Sequence, residues 1–210
     1  MVQDTFTTGT TTIGIHIKDG VIIAADNRAT TYKIETDNFI KVFQIADKIA
    51  ITIAGYVAPA QRFVRAMKSE IKLMELKNER PIRVKEAANL LSSIQFSAIA
   101  QGLVVASIMG GYDSREGPAL YDLGPDGTVK SNLEKYYSDG SGSIFAKSVL
   151  DMDYKEGMSK KEGLELIEKA FSAAFKNDTA SGGGYVALLI TEDGVEEIEK
   201  KKIKTEFVSA

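Results

Sequence analysis

A run of threonines near the start of the chain could supply a hydrolytic nucleophile. Residues 7 to 15 read TTGTTTIGI, with Gly9 and Thr10 in the run. Because threonine is β-branched and favours strands, the run is also what the beginning of a strand would contain. The alternative is that the chain is cut between Gly9 and Thr10, so that Thr10 becomes a new N-terminus and Thr11 and Thr12 are strand residues. Only the second interpretation provides a catalytic base.

An N-terminal threonine carries this base, its own α-amine, within hydrogen-bond reach of its hydroxyl. The amine has an ordinary pKa of about 7.7–8.0, and a nearby ammonium group would lower this pKa and keep the amine neutral near physiological pH. Lys41 in FIKVFQI could be the ammonium group, and Asp26 at the end of VIIAAD could hold it in place. The backbone N–H of Gly55 could then face a developing oxyanion, because glycine permits close backbone approach.

The same polar residues also have ordinary structural explanations. Lys41 could lie at a sheet edge instead of pairing with Asp26, since a lysine that is buried and unpaired is costly. The segment from Asp26 to Arg28 could be a strand-end turn. The Gly/Ser-rich stretches SDGSGS and NDTASGGG could be plain loops.

The cysteine and histidine counts restrict the chemistry further. The sequence has no cysteine, which excludes disulfides, thiol nucleophiles and thiolate metal sites, and is compatible with a reducing compartment. The single histidine, His16, alternates with isoleucines along a strand pattern and is interpreted as structural. No G-x-S-x-G motif accompanies it, so a serine–histidine triad is not expected. Hydrolysis by this chain would need another kind of base.

The length suits one large domain or two small ones, and the composition is that of a globular protein that binds neither nucleic acid nor membrane. The chain has 210 residues, 44% of them hydrophobic, and its net charge of −3 argues against a nucleic-acid-binding face. No apolar run is long enough to span a bilayer, and residues 1–9 lack the basic start and apolar core of a secretory signal. The sequence shows no linker, internal repeat or low-complexity segment.

The hydrophobic pattern places these polar groups on alternating strands and helix pairs. Strand patterns predict two N-terminal hairpins, the first turning at Asp19-Gly20 and the second formed by FIKVFQIA and IAITIAG with Asp47-Lys48 between them. Asp-Gly turns also predict a central hairpin that turns at 125–127 and a C-terminal hairpin. Apolar spacings of three and four residues predict two helices after Pro59, a short one after SDGSGS, and one opened by a capping box at 159–162. Two sheets packed together, each covered by a helix pair, would bury every apolar face. We therefore expect an α/β (α+β) fold, a four-layer α-β-β-α sandwich.

Seven stretches, in order, resemble the archaeal type of proteasome β subunit. They are GTTTIGI, IIAADNRAT, IKVFQI, TIAGYVAPAQ, MGGYD, SDGSGS and NDTASGG, and they extend over nearly the whole chain. The family consists of N-terminal-nucleophile hydrolases with the same four-layer sandwich. The resemblance implies a propeptide of residues 1–9, removed by self-cleavage between Gly9 and Thr10, and a single catalytic domain of residues 10–210.

The resemblance also implies roles for individual residues. A pocket lined by Ala29, Ile53 and Val57 would be apolar and would prefer a large apolar side chain before the cleaved bond. The family's arginine near the nucleophile falls on Arg28, and the backbone of Thr30 would bind substrate as an added strand. The implied catalytic residues are Thr10, Asp26, Lys41, Ser141, Asp178 and Ser181, with Gly55 as the oxyanion donor.

The implied function is that of a threonine endopeptidase of the proteasome core particle, which needs no metal or organic cofactor. Its implied partners are other β subunits in a seven-membered ring, an α-subunit ring, a regulatory ATPase that docks through the α ring, and unfolded polypeptide substrates in the cytoplasm. Two alternatives stay open: a catalytically silent β-type ring subunit, and an N-terminal-nucleophile hydrolase that acts on a small amide. The second fits less well, because the helix and hairpin motifs follow the ring-forming family throughout.

Overall fold

The structure, a computed structural model, describes residues 9–30, 34–55, 57–99, 104–130 and 135–201, without the side chains of residues 34, 35 and 57–61. Within these ranges, strands alternate with pairs of helices. The helices are α1 (Val57–Asn78), α2 (Val84–Ile99), α3 (Ser143–Asp153) and α4 (Lys160–Asn177). The strands are β1 (Thr12–Ile17), β2 (Gly20–Asp26), β3 (Ala29–Thr30), β4 (Ile34–Thr36), β5 (Val42–Ala46), β6 (Ile49–Thr52), β7 (Ala54–Gly55), β8 (Val105–Asp113), β9 (Gly117–Leu123), β10 (Val129–Lys130), β11 (Tyr136–Asp139), β12 (Tyr185–Thr191) and β13 (Gly194–Lys201).

The strands form two antiparallel sheets and a short ribbon. The first sheet has the order β11-β1-β2-β12-β13, and the second has the order β10-β9-β8-β6-β5, with β7 paired to β8. The ribbon consists of β3 and β4. The hairpins predicted from Asp-Gly turns are confirmed as β1–β2, β9–β10 and β12–β13, and the predicted turn at Asp47–Lys48 joins β5 to β6.

Side-chain alternation in the central strands separates three apolar cores. On β2, Ile22 lies in a core with α3 and α4, whereas Ile23 lies in a core between the two sheets. On β8, Ile108 also lies between the sheets, whereas Met109 lies in a third core with α1 and α2. Burial of each such side chain contributes about 1.5–3 kcal/mol relative to exposure. The three cores stack helix pair, sheet, sheet and helix pair, which confirms the predicted four-layer sandwich.

The helix ends agree with the sequence signals. Ser159 Oγ accepts a hydrogen bond from the backbone N–H of Glu162, and the Glu162 carboxylate accepts one from the backbone N–H of Ser159, so the predicted capping box of α4 is confirmed. Position 59, a proline, lies in the first turn of α1, where its missing N–H is not needed. Of the helices in the described ranges, none combines the length and hydropathy of a membrane-spanning segment.

Several strand limits differ from the prediction. The short strands β3, β4 and β11 were not expected, and the predicted strand IAITIAG is divided into β6 and β7. Strand β5 begins at Val42, so that Lys41 precedes the strand. The expectation that Thr11 is a strand residue is wrong, because β1 begins at Thr12. The reason is local: the Thr11 N–H donates to the Asp26 side chain, at 3.0 Å to Oδ1, rather than to a strand carbonyl.

Antiparallel pairing brings the polar strand ends to one end of the sandwich. In the first sheet, the start of β1 lies beside the ends of β2 and β11, with Thr12 opposite Ala25 and Asp139. The start of β12 joins them, since Tyr185 lies opposite Asp26. In the second sheet, β5 begins where β6 ends. The loops that carry the predicted site residues therefore emerge together.

Candidate active site

Thr10 lies in a buried polar cluster, two residues before β1. Its Oγ1 accepts a hydrogen bond from Nζ of Lys41 at 2.9 Å and donates one to the carbonyl oxygen of Gly9 at 2.6 Å. Lys41 Nζ also donates to Oδ1 of Asp26 at 2.8 Å and lies 3.4 Å from the Gly9 oxygen. The side chain of Lys41 is 5% exposed and that of Asp26 is fully buried. A single amino group thus contacts a hydroxyl, a carboxylate and the carbonyl of the Gly9–Thr10 peptide bond.

Asp26 organises this cluster because it accepts hydrogen bonds on both carboxylate oxygens. Oδ1 accepts the Thr11 N–H at 3.0 Å in addition to Lys41, and Oδ2 accepts the N–H groups of Arg28 at 3.1 Å and Gly182 at 3.0 Å. A carboxylate without exposure to water is tolerated only when it is paired and hydrogen-bonded in this way. Of the two alternatives for Lys41, the structure shows the pairing with Asp26 and not an exposed position at a sheet edge.

Burial shifts the pKa values of both members of this ion pair. Desolvation raises the pKa of Asp26 and lowers the pKa of Lys41, because a low-dielectric environment disfavours both charged forms. The attraction between the two groups opposes both shifts, and the backbone N–H groups of Gly182 and Thr11 also favour the Asp26 carboxylate. Lys41 is therefore a better proton donor than an exposed lysine, in contact with a hydroxyl that could become a nucleophile.

A second polar network contacts the backbone nitrogen of Thr10. The Thr10 N–H donates to Oγ of Ser141 at 3.3 Å, and Ser141 donates to Oδ2 of Asp178 at 2.6 Å. The same Oδ2 accepts from Oγ of Ser181 at 2.7 Å, and Ser181 Oγ lies 2.8 Å from Oγ1 of Thr11. Asp178 occupies the C-cap position of α4, so the end of a well-capped helix positions the carboxylate. The two Gly/Ser-rich stretches are therefore not plain loops, since their side chains meet at Thr10.

Arg28 holds the loop that follows α4. Its Nη1 donates to the carbonyl oxygens of Thr179 at 3.0 Å and Ser181 at 3.3 Å, and its Nε donates to Oδ1 of Asp37 at 2.7 Å. The planar, forked guanidinium suits such multiple contacts. Arg28 thus joins the loop after α4 to the segment after β4.

Two of the other predicted substrate-binding residues, Thr30 and Ile53, donate hydrogen bonds to the segments that contain Asp178 and Lys41. Thr30 Oγ1 donates to the carbonyl oxygen of Ala180 at 3.2 Å, while Ala29 on β3 is buried. Ile53 is also buried, in the core with α1 and α2, and its N–H donates to the Lys41 carbonyl at 2.8 Å. Val57 begins α1, but its side chain lies outside the described residues.

Gly55, the predicted oxyanion donor, lies on β7 opposite Val105 of β8. Its φ of +139° is a conformation that side chains rarely adopt, and an added Cβ would lie 2.5 Å from the Val104 carbonyl oxygen. The position therefore requires glycine. Across the described residues, no hydrogen bond joins Gly55 to the Thr10 cluster, and its oxyanion role stays a prediction.

Sequence reasoning missed several residues of the site besides Gly182 and Thr179. Thr11 links the Asp26 and Ser181 groups, and Asp37 pairs with Arg28. Ala180 packs closely against Gly9, because a Cβ on Gly9 would lie 1.8 Å from the Cβ of Ala180. Gly142 packs closely against Thr11, because a Cβ on Gly142 would lie 2.1 Å from Oγ1 of Thr11. The second glycine of SDGSGS was the one available signal, because glycine is expected where a backbone approaches closely.

Three further predictions concern residues away from this cluster. Residues 1–8 of the predicted propeptide lie outside the described residues. His16 is near the far end of β1 from Thr12, where its backbone N–H donates to the Lys135 carbonyl oxygen at 2.8 Å. In the described ranges, no group of three or more His, Asp and Glu side chains is arranged to hold a metal ion.

Comparisons with known proteins all find similarity to one family. A family profile described as proteasome subunit matches residues 6–190. The chain is 38% identical over 203 residues to proteasome subunit beta of Methanobrevibacter smithii, with 96% of this chain and 97% of the relative covered. It is 37% identical over 205 residues to proteasome subunit beta of Methanopyrus kandleri, with 96% of each chain covered. It is 39% identical over 198 residues to proteasome subunit beta 1 of Thermococcus kodakarensis, with 94% of this chain and 96% of the relative covered.

Proposed function

The chain belongs to the proteasome subunit family, as its seven motifs predicted, and on this basis we propose that it is a threonine endopeptidase of the β type in the proteasome core particle. The observation that carries the proposal is the 2.9 Å contact between Lys41 Nζ and Thr10 Oγ1, supported by the buried Asp26 carboxylate. A buried ion pair is no strong stabiliser of a fold. A pair that contacts a hydroxyl beside a peptide carbonyl is better explained by catalysis.

The first proposed reaction of Thr10 is on its own chain. Its hydroxyl lies 2.6 Å from the Gly9 carbonyl oxygen, so the nucleophile is already beside the carbonyl group that it attacks. As the bond from Oγ1 to the carbonyl carbon forms, Lys41 at 3.4 Å stabilises the charge on the carbonyl oxygen. The carbon–nitrogen bond then breaks, the hydroxyl proton ends on the nitrogen, and water hydrolyses the ester. Residues 1–9 leave as the propeptide, and residues 10–210 remain as the catalytic domain.

The second proposed reaction is on substrate. The new α-amine of Thr10 takes the proton from the Thr10 hydroxyl, and the oxygen attacks the scissile carbonyl of an unfolded polypeptide. The charge of Lys41 lowers the pKa of this amine and keeps it available as a base, while Asp26 holds Lys41. The amine then protonates the leaving nitrogen, and water hydrolyses the acyl-enzyme ester. Gly55 is proposed to donate its N–H to the oxyanion in both halves of the reaction.

The proposed substrate contacts follow from the residues around Thr10. The apolar character of Ala29 and Ile53 supports a pocket for a large apolar side chain before the cleaved bond. We place the substrate backbone beside Thr30, where it would add a strand to the ribbon. Arg28 contributes by fixing the loop that contains Ala180.

The proposed setting is a particle in the cytoplasm, with this chain in a seven-membered β ring beside an α ring, to which a regulatory ATPase docks. Large exposed apolar side chains support assembly: Ile144 and Met152 on α3 are 72% and 84% exposed. On α2, Phe96 is 69% exposed. Interfaces are enriched in aromatic residues and methionine, whereas an isolated surface gains nothing from exposing them.

The testing experiment compares Thr10→Ala with the wild-type chain in particles assembled with an α subunit. Mass spectrometry of the chain reports self-cleavage, and a fluorogenic peptide reports turnover. We expect Thr10→Ala to lose both activities together, because one hydroxyl serves both. The matched control is Thr12→Ala, whose hydroxyl contacts the Asp139 carbonyl oxygen at 3.3 Å, outside the cluster, and which should retain both.

The result also separates the leading proposal from a silent ring subunit. Wild-type particles that assemble but neither shorten the chain nor react with a threonine-directed covalent probe would favour the silent subunit. Loss of residues 1–9 from pure Thr10→Ala particles would refute self-cleavage.

A further inference from the structure

The network at the Thr10 nitrogen is a continuous chain of hydrogen bonds that ends at Thr11. Its successive distances are 3.3 Å from Thr10 N to Ser141 Oγ, 2.6 Å from Ser141 Oγ to Asp178 Oδ2, 2.7 Å from Asp178 Oδ2 to Ser181 Oγ, and 2.8 Å from Ser181 Oγ to Thr11 Oγ1. Thr11 and Ser181 are buried. Water therefore has no access to replace either hydroxyl.

The chemistry of the members fixes the direction of every bond in this chain. A carboxylate only accepts, so Ser141 and Ser181 each give their single hydroxyl proton to Asp178. Ser181 then has only lone pairs to offer, and the Thr11 hydroxyl must be the donor to it. Ser141 likewise has only lone pairs left, so it accepts from the Thr10 nitrogen. The alternative donation from Ser141 to the Thr10 carbonyl spans 3.5 Å and is weaker.

We propose that Thr11 is a positioning residue for the reaction: its hydroxyl donates to Ser181 and holds it against the Asp178 carboxylate, whose position in turn keeps Ser141 directed at the Thr10 amine. This inference rests on the proposed function. Once the Gly9–Thr10 bond is cut, the amine gives one N–H to Ser141, and its lone pair remains free for the proton of the Thr10 hydroxyl. A Ser141 hydroxyl turned toward the amine would occupy that lone pair and block the base.

Two observations support a role for Thr11 beyond packing. Its backbone N–H donates to Asp26 at 3.0 Å, so one residue joins the Lys41–Asp26 pair to the Asp178 network. Its hydroxyl also lies in a tightly packed space: a Cβ on Gly142 would lie 2.1 Å from Thr11 Oγ1 and 3.1 Å from both Asp178 Oδ2 and Ser181 Oγ. The three oxygens therefore enclose position 142 and have little room to reorient while Thr11 is in place.

The test removes the Thr11 hydroxyl and keeps the shape of the side chain. Full-length Thr11→Val is assembled with an α subunit, its N-terminal Thr10 is verified by mass spectrometry, and kcat and KM are measured on a fluorogenic peptide. We expect kcat to fall about tenfold and KM to stay within about twofold, because the lost bond orients the base and does not touch substrate. Thr11→Ser, which restores the hydroxyl, should recover kcat.

Controls separate positioning from folding. Thr12→Val removes a neighbouring hydroxyl outside the network and should keep the wild-type kcat, and thermal melting of each particle reports stability. If Thr11→Val does not assemble, Thr11→Ala removes the same hydroxyl with less bulk. A wild-type kcat in the variant without the hydroxyl, or a Thr11→Ser variant as slow as Thr11→Val, would overturn the inference and leave the proposed function intact. Wild-type particles without peptidase activity would overturn both.

Discussion

Replacement of Gly9 by alanine is expected to block self-cleavage without harming the mature enzyme. The added Cβ would lie 1.8 Å from the Cβ of Ala180 and 2.6 Å from both its Cα and its carbonyl oxygen. The two carbons must separate by about 1.6 Å, the difference between 1.8 Å and the 3.4 Å at which ordinary contact begins. Ala180 cannot supply this movement, because Thr30 holds its carbonyl and Asp178 holds its N–H.

The Gly9 carbonyl must therefore move away from Thr10 and Lys41. A misplacement of about 1 Å at a reacting centre costs on the order of 10²-fold in rate, and we expect self-cleavage to slow at least this much. The assay is a time course of the loss of residues 1–9, followed by mass spectrometry in assembled particles. Particles in which the chain is expressed from Thr10 onward provide the control, because residue 9 is absent from the product and turnover should equal that of the wild type.

A double variant tests the steric cause. Gly9→Ala with Ala180→Gly removes the nearest carbon but leaves the backbone contacts at 2.6 Å, so we expect only partial recovery of self-cleavage. Processing of Gly9→Ala at the wild-type rate would refute the reasoning, since the steric contact with Ala180 would then not constrain the scissile bond.

Three further predictions concern the Lys41–Asp26 ion pair, the proposed substrate pocket, and the Arg80–Glu86 ion pair at the junction of α1 and α2. Lys41→Arg should lower peptide turnover by about 10²-fold or more, because the longer fork misplaces the charge, and turnover near the wild-type value in a kinetic assay would contradict this role. Fluorogenic peptides that end in Leu or Tyr should be cut faster than those that end in Arg or Glu, since the pocket offers charged groups no partner; the opposite order would refute the pocket but not the threonine mechanism. A hydrogen bond from Arg80 lowers the pKa of Glu86 to about 2, below its ordinary 4.5, so this pair stabilises the fold above pH 4.5 and the contribution is lost as the pH falls toward 2. Glu86→Gln should therefore melt at a lower temperature than the wild type near neutral pH and at the same temperature near pH 2, and a constant difference across this range of melting curves would count against the assignment.

Local signals were sufficient for the parts of the fold that local chemistry determines. The Asp-Gly turns gave the hairpins, and the capping box at Ser159 gave the start of α4, because each depends on a few adjacent residues. The layer order followed from the succession of strands and helix pairs, because two sheets packed together need a helix pair on each outer face. In the structure, successive side chains of β2 enter different cores. The short strands β3, β4 and β11 could not be predicted this way, since they are too short for a periodic pattern and form only where a neighbouring strand pairs with them.

Some contacts of the candidate site were also suggested by local sequence, whereas others depend on tertiary packing. The contact of Lys41 with Asp26 was one of two alternatives that the sequence left open, because a lysine in an apolar stretch needs either a partner or an exposed edge. The position of Thr11 was not predicted, since a run of β-branched threonines has the composition of a strand. Its contact with Ser181 depends on tertiary packing that joins residues 170 positions apart. The pairing of Arg28 with Asp37 was missed for a similar reason: the turn after β4 carries no pattern that sets its direction.

The hydrogen bonds around Thr10 join residues that leave the ribosome at very different times. Thr10 and Ser141 are 131 positions apart, and Thr11 and Ser181 are 170 apart. During synthesis Thr10 therefore emerges long before the loop after α4 with which its network is completed. Strand β2 likewise emerges long before its neighbour β12. A nascent or prematurely terminated chain that stops before residue 178 carries the threonine but lacks the carboxylate and serine that complete the network. On the proposed function, the site of a chain that is still being made therefore stays incomplete until residue 181 has been added.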